Sequence, residues 1–158
     1  MPLSDLDDTQ REQLRRYRDL LLERNARTNL TAIRDPESVD RRLIAESLRL
    51  LPALGAASSP GDEVIDIGTG GGIPGLPLAI ARPDLRWTLV DATAKKVAFL
   101  QDVINELTLG NVVLYHGRIE ELAHEPHLRA RYRVLTARAV SSLPALLELG
   151  LPMIRTGG

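Results

Sequence analysis

The sequence predicts an α/β protein of the doubly wound type with a helical extension in front of its sheet. A short apolar run over residues 63–67 breaks into clustered glycines, as buried parallel strands do before a ligand-binding turn. Strand-like and helix-like segments alternate after that run, whereas the first third of the chain has helical periodicity. The 158 residues suffice for one ordinary core with a helical appendage.

The predicted extension spans residues 1–60 and consists of two helices. Over residues 5–27 apolar side chains recur at helical spacing, and Ser4 is suited to cap the first turn. A second helix is predicted to begin at Pro36, since proline is tolerated in a first turn, and to end by Pro52.

Small residues fill the segment 53–62, which favours a linker, and we place a domain boundary there. The second predicted domain spans residues 61–158. Its strands are expected near 63–67, 86–90, 111–115 and 133–137, and its helices near 75–82, 93–108, 118–123 and 141–154. This alternation predicts right-handed βαβ units and a parallel sheet.

A glycine-rich turn follows the first predicted strand and is the first candidate site. Strand, glycine turn and helix N-terminus hold nucleotide-like ligands at the carboxyl ends of parallel strands. A dinucleotide fingerprint needs a third glycine after Gly68 and Gly70, but its position holds Ile73. Asp66 is expected to face the crevice, where a carboxylate suits an ammonium better than a pyrophosphate. The pattern favours S-adenosylmethionine over NAD; a turn that serves only strand-to-helix packing is the alternative.

The other strand ends are expected to supply further walls of that crevice. Asp91 can accept hydrogen bonds from both ribose hydroxyls, or cap the helix that follows it. Ile119 and Glu120 can border an adenine ring, although Glu120 equally suits the first turn of a helix. Arg138 can pair with a ligand carboxylate or a nucleic-acid phosphate, or form a surface salt bridge.

Composition excludes several classes of function. The chain has no cysteine, which fits a cytoplasmic setting and excludes disulfides, thiolate metal sites and cysteine nucleophiles. No signal peptide and no long apolar stretch is visible, so neither secretion nor a membrane span is expected. His124 and His127 lack a third ligand, and no metal site is expected. A mild arginine excess between Arg15 and Arg49 fits an RNA surface or a solvated helix face.

Five parts of the chain match, in order, the motifs of one bacterial family. They are Asn29–Glu37, Asp66–Ile80 with Arg82-Pro83, Leu89–Asp91 with Lys95–Leu100, Arg118–Glu121, and Ala137–Ala139. On these residues the chain resembles the bacterial small-subunit ribosomal RNA guanine-N7 methyltransferases, also called the glucose-inhibited division protein B family.

The resemblance implies a Rossmann-like class I fold and methyl transfer from S-adenosylmethionine to N7 of one guanosine in the 16S rRNA of the small ribosomal subunit. It also implies that the cofactor is bound by Gly68, Ile73, Ile119, Glu120 and Arg138. Guanine N7 has a free lone pair, so no general base is expected and Arg138 is the catalytic candidate. We expect a monomer. A small-molecule methyltransferase and a non-catalytic RNA-binding or ribosome-assembly factor are the alternatives.

Two features depart from the family's pattern. Where the family usually reads Arg-His-Ile/Leu-x-Asp-Ser-Leu, this chain has Arg42 for the histidine and Glu46 for the aspartate. The family also continues beyond the position of Gly158 with further strands. We therefore expect C-terminal strands to be missing and an apolar edge of the sheet to be exposed.

Overall fold

The structure, a computed structural model, describes residues 5–138 and 142–158. The N-terminal part contains α1 (Asp8–Asn25), α2 (Pro36–Val39), a π-helical turn (Asp40–Ile44), α3 (Ala45–Leu48) and α4 (Leu51–Ala57). It is followed by β1 (Glu63–Ile67), α5 (Gly75–Ala81), β2 (Arg86–Asp91), α6 (Ala94–Glu106), β3 (Val112–His116), α7 (Ile119–Leu122), β4 (Val134–Ala137), α8 (Leu143–Gly150) and a 3₁₀ turn (Leu151–Met153). Ser4 and Ala139 lie outside the described residues.

The four strands form one parallel sheet in the order β3-β2-β1-β4. Ile67 pairs with Val90 of β2 and Ala137 of β4, so the carboxyl ends of these strands meet at one edge of the sheet. The predicted strands and their parallel arrangement are confirmed, with ends that differ by at most one residue. The edge that sequence reasoning assigned to a ligand site therefore exists.

The N-terminal helices differ from the prediction in two places. Asp7, not Ser4, is the N-cap of α1, because its carboxylate accepts a 2.8 Å hydrogen bond from the backbone N–H of Gln10 in a reciprocal capping box. The second predicted helix is interrupted by the π-helical turn, and α4 then extends through the first half of the predicted linker. Pro52 lies in the first turn of α4, where its missing N–H costs nothing.

The sheet is covered on both faces. Side chains alternate along β1, so that Val64 packs in a large cluster on one face and Ile65 and Ile67 pack in a smaller cluster on the other. Tyr17 and Val39 of the N-terminal helices are fully buried in the large cluster. Residues on both sides of the predicted boundary therefore share one core, and the boundary itself stays a prediction.

Side chains of α1 satisfy the last carbonyl groups of two other helices. Gln10 Nε2 donates to the carbonyl oxygen of Ile80 at the end of α5, at 3.1 Å. Gln13 Nε2 donates to the carbonyl oxygen of Leu107 directly after α6, at 3.0 Å. The final carbonyls of a helix have no partner inside the helix, so these bonds fix α1 to the C-terminal ends of α5 and α6.

Beyond β4 the fold continues into an apolar surface. Tyr132 and Ile154 form an isolated parallel bridge. Nearby Leu147 and Leu151 are 46% and 60% exposed and line an apolar cleft with Leu135. These exposed side chains belong to α8 and the 3₁₀ turn, so the expected exposed apolar edge of the sheet stays a prediction.

Asn25 organises the loop that connects α1 to α2. It is buried, its Nδ2 donates to the carbonyl oxygens of Thr31 and Ile33, and its Oδ1 accepts from the backbone N–H groups of Leu30 and Thr31 at 2.8 and 3.0 Å. One side chain thus satisfies four backbone groups of the loop that carries the Asn29-Leu30-Thr31 motif.

Replacement of Asn25 by alanine is expected to lower the free energy of unfolding by about 3 kcal/mol, because several buried backbone groups lose their partners. Asn29 is the matched control: it is exposed and bonds only the guanidinium of Arg34 among the described residues. Asn29→Ala should cost about 0.5 kcal/mol or less. Urea unfolding measures both changes, and equal losses would contradict the role of Asn25.

Candidate functional site at the carboxyl ends of the strands

The glycine turn between β1 and α5 requires glycine at several positions. Gly68, Gly70 and Gly72 have φ of 64°, 60° and 99°, the left-handed region that other residues adopt only with strain. The backbone N–H of Thr69 donates to the carbonyl oxygen of Val90 at 3.0 Å, which ties the turn to the end of β2. The turn therefore lies against the carboxyl ends of the two central strands.

Asp66 lies beneath this turn and is fully buried. Its Oδ1 accepts a hydrogen bond from Thr136 Oγ1 on β4 at 2.8 Å, and its Oδ2 accepts from the backbone N–H of Gly75 at 3.1 Å. A Cβ on Gly75 would lie 2.7 Å from Asp66 Oδ2, so this contact needs glycine. The expectation that Asp66 faces an open crevice is wrong, because its carboxylate is enclosed between β1, β4 and α5.

The environment of Asp66 changes its ionisation. Burial raises the pKa of the Asp66 carboxyl from 3.8 to about 6, while the hydrogen bonds from Thr136 and Gly75 act in the opposite direction. Burial and the nearby Asp66 carboxylate also raise the pKa of Tyr17. Both groups belong to the support of the turn.

Tyr17 supports the turn from the side of α1. Its side chain is fully buried, and its hydroxyl donates a 2.7 Å hydrogen bond to the carbonyl oxygen of Gly71. Leu21 and Leu30 pack next to the same glycine, where a Cβ would lie 3.2 Å from Leu21 Cδ1. The N-terminal helices thus form part of the floor on which the glycine turn lies.

Asp91 joins the turn to α6. Its Oδ2 accepts a 2.8 Å hydrogen bond from the backbone N–H of Gly70, and its Oδ1 accepts from the N–H of Thr93 at 2.9 Å. Thr93, not Asp91, is the N-cap of α6. Asp91 nevertheless accepts a hydrogen bond from the backbone at the start of this helix, which is part of the capping role considered as its alternative. Each carboxylate oxygen has a second lone pair, so Asp91 can still accept from a ligand.

A cleft of about 420 Å³ lies beside these residues. It brings together four of the predicted site residues, which are Gly68, Asp91, Ile119 and Glu120. Ile119 is half-buried, while the side chain of Glu120 is 52% exposed and lies 3.8 Å from the guanidinium of Arg118. The cleft therefore combines apolar surface with carboxylate acceptors.

The other predicted site residues lie around the cleft rather than in it. Gly70 contributes its N–H to Asp91, and Ile73 is 8% exposed with its side chain in the large core cluster. Arg138 directly follows β4 and forms an ion pair with Glu46 at 3.3 Å. The salt bridge considered as its alternative role is thus present.

Sequence reasoning missed several residues of the site. Lys96, Thr93 and Arg118 line the cleft, and Tyr17 and Thr136 hold the turn and Asp66. Lys96 is the third residue of α6, the helix that follows Asp91, and its closeness to Asp91 along the chain could have indicated a place beside the same strand end. No sequence signal identifies the partner of Tyr17, because that contact joins residues 54 positions apart.

Other features of the described residues do not add to this site. A groove of about 640 Å³ between α1 and α6 is crossed by the ion pairs Arg16–Glu106 and Arg24–Asp102 and holds no predicted site residue. Within residues 5–138 and 142–158, no group of three acidic, histidine or cysteine side chains is placed to hold a metal ion. In the same part of the chain, no helix has the length and apolar character that a membrane span requires.

Comparison with known proteins identifies relatives over almost the whole chain. The family model for rRNA small subunit methyltransferase G matches residues 10–158. A ribosomal RNA small subunit methyltransferase G from Lachnoclostridium phytofermentans is 42% identical over 98% of this chain and 63% of its own length. The protein of that name from Roseiflexus castenholzii is 44% identical over 97% of this chain and 64% of its own. The chain thus spans less than two thirds of these relatives, and the family inferred from the motifs is confirmed.

Solved structures with low sequence identity share the fold. A SAM-dependent methyltransferase from Geobacter sulfurreducens in complex with S-adenosyl-L-homocysteine has a TM-score of 0.58 at 20% identity, covering 89% of this chain and 52% of its own. TYW2 from P. horikoshii has a TM-score of 0.58 at 15% identity, covering 72% and 40%. The predicted Rossmann-like methyltransferase fold is confirmed.

The ionisation of Asp66 predicts how stability changes with pH. The pKa of Asp66 is higher in the folded protein than in the unfolded chain. Its contribution to the free energy of unfolding is therefore fully present below pH 3.8 and is lost as the pH rises through about 6. Asp66→Asn keeps the shape but does not titrate. Between about pH 4 and about pH 7, the unfolding free energy of the natural protein minus that of the variant should fall by about 3 kcal/mol.

Urea unfolding across this pH range measures that difference. Asp35→Asn is the control, because a hydrogen bond from the backbone N–H of Ser38 lowers the pKa of Asp35. The contribution of Asp35 to the free energy of unfolding is present above the usual pKa of aspartate and is lost only as the pH falls through the lowered pKa of the folded protein. Identical pH dependence for the Asp66→Asn variant and the natural protein would contradict the buried, titrating carboxylate.

Proposed function

The chain belongs to the rRNA small subunit methyltransferase G family, and from this premise we propose that it transfers a methyl group from S-adenosylmethionine to N7 of a guanosine in 16S rRNA. One observation carries the proposal beyond family membership. The cleft at the carboxyl ends of the strands combines Gly68, Asp91, Ile119 and Glu120, four residues expected to bind the cofactor. This is where open α/β sheets bind nucleotide-like ligands.

The residues of the cleft fit S-adenosylmethionine. Its volume of about 420 Å³ lies in the range of small-molecule sites. The second lone pairs of the Asp91 carboxylate suit the two ribose hydroxyls, and Ile119 and Glu120 suit the apolar face and the amine of adenine. Gly68 lines the cleft without a side chain, which lets a ligand approach the backbone. The bound cofactor supplies a methyl group on a sulfonium centre.

The protein residues act in this reaction by binding and orientation. Guanine N7 has an in-plane lone pair at neutral pH, so no side chain has to remove a proton before methyl transfer. Among the described residues, the cleft is lined by no histidine that could serve as a base. Asp66 and Tyr17 fix the glycine turn from below, and Arg138 is assigned to an anionic group of the cofactor or of the RNA.

Two cationic side chains of the cleft have a different role. Lys96 and Arg118 line it together with Asp91 and Glu120. The cofactor carries two positive charges and a single carboxylate, for which Arg138 is the candidate partner, whereas every RNA phosphate adds a negative charge that a cation can pair with. We assign Lys96 and Arg118 to the RNA side of the cleft.

Transfer of tritiated methyl groups tests the proposed function. The substrates are small ribosomal subunits that lack the modification, naked 16S rRNA and a panel of small methyl acceptors. Label at N7 of guanosine, located by borohydride reduction and aniline cleavage, is the expected result. Label on a small acceptor without RNA would indicate a small-molecule methyltransferase, and RNA binding without transfer would indicate a non-catalytic RNA-binding factor.

The adjacent lysines provide a matched pair for the assigned RNA contact. Lys96 lines the cleft, whereas Lys95 is exposed and is not among the cleft residues. Lys96→Gln should raise the KM for RNA. In a plot of log KM against log salt concentration, the slope should decrease by about 1, the change expected for one lost phosphate contact. The Kd for S-adenosylhomocysteine should stay unchanged. If Lys95→Gln has the same effect on KM, the contact with Lys96 is not specific.

A further inference from the structure

Arg138 is held by the N-terminal helices. Its Nη1 donates to the carbonyl oxygen of Arg42 at 3.2 Å, and its Nη2 donates to Glu46 Oε2 at 3.3 Å. Arg42 belongs to the π-helical turn and Glu46 to α3. The residue assigned to an anionic ligand is therefore oriented by a segment more than 90 residues earlier in the chain.

The π-helical turn determines what this segment presents to Arg138. The backbone N–H of Ala45 donates to the carbonyl oxygen of Asp40, five residues earlier, so the helix is locally widened. Such turns change the direction in which the following residues face and occur often at functional sites. Here Arg42 contributes a backbone acceptor and Glu46 a carboxylate to the same guanidinium.

The contact with Glu46 leaves Arg138 able to bind a ligand. A guanidinium has five N–H groups, and the two bonds to Arg42 and Glu46 use one on each terminal nitrogen. The side chains of Arg138 and Glu46 are 41% and 46% exposed, so neither is enclosed by the contact. A flexible arginine loses rotamer freedom when it binds an anion, and a side chain that is already held loses less.

We propose that Glu46 is a positioning residue that holds Arg138 ready for the carboxylate of the cofactor. The inference rests on the proposed function, in which Arg138 binds an anionic group. It assigns to Glu46 of the N-terminal helices a role that goes beyond packing. A surface salt bridge without this role would contribute to stability alone.

Calorimetry with S-adenosylhomocysteine on the full chain tests the proposal. Arg138→Ala should weaken binding by about tenfold or more, because a charge-assisted contact is lost. Glu46→Ala should weaken it by about twofold to fivefold, the upper part of the range of an exposed ion pair. The double variant should bind as Arg138→Ala does, since Glu46 acts only through Arg138. Glu46→Gln, which keeps an oxygen acceptor for Nη2, should recover part of the loss.

Glu37→Ala is the matched control, because Glu37 is an exposed acidic residue of the same N-terminal region and is not a partner of Arg138. It should leave the Kd unchanged. Melting temperatures are measured for every variant, and a lower Tm with unchanged affinity for Glu46→Ala would overturn the proposal by showing a purely structural salt bridge. Tighter binding by Glu46→Ala would also overturn it, because Glu46 would then compete with the ligand for Arg138.

Loss of the cofactor contact of Arg138 and loss of the positioning role of Glu46 give different results. If Arg138→Ala binds S-adenosylhomocysteine normally, Arg138 does not bind the cofactor and the positioning role is overturned with it. If Arg138→Ala loses affinity and Glu46→Ala does not, only the positioning role is overturned. Methyl transfer to 16S rRNA is measured separately and decides the proposed function in either case.

Discussion

The buried carboxylate of Asp66 is the constraint on which the rest of the site depends. It lies where β1, β4 and the start of α5 meet, and its two oxygens accept from Thr136 and Gly75. A carboxylate without exposure to water is costly, and such groups persist where they are hydrogen-bonded. Here those bonds set the distance between two strands and a helix. The glycine turn lies directly above the layer that these bonds hold together.

The N-terminal helices complete that layer. Tyr17 donates a hydrogen bond to the carbonyl oxygen of Gly71, and Asn25 orders the loop that packs next to the turn. Gln10 caps the C-terminal end of α5, the helix that follows the turn. Each contact comes from a polar side chain on the buried face of α1, and each satisfies backbone groups elsewhere. The helices thus serve as structural parts of the sheet's carboxyl edge. At the surface, the N-terminal helices likewise supply the acceptors that hold Arg138 after β4.

Sequence patterns predicted the sheet well because apolar runs and glycine turns are local signals. The strands are where periodicity placed them, the glycine turn follows β1 as its motif predicted, and Gly68, Asp91, Ile119 and Glu120 line one cleft at the carboxyl ends of the strands; their role in binding stays a prediction. The failures are non-local. The burial of Asp66 depends on Thr136, 70 residues away, and the continuation of helix past Pro52 depends on packing of Leu54 in the core. No local pattern contains that information.

The hydrogen bond between Tyr17 and Gly71 makes docking of α1 and the shape of the ligand turn thermodynamically linked. A ligand that binds only the ordered turn stabilises the docked helix by the free energy RT ln(1 + [L]/Kd). The coupling is reciprocal, so an interaction that stabilises docked α1 increases affinity for that ligand, up to the limit set by the fraction of molecules in which α1 is undocked. An RNA that contacts the N-terminal helices would in this way raise affinity for the cofactor without touching it. Under the proposed function, cofactor and RNA would then bind with positive cooperativity that depends on the hydrogen bond from the Tyr17 hydroxyl to Gly71.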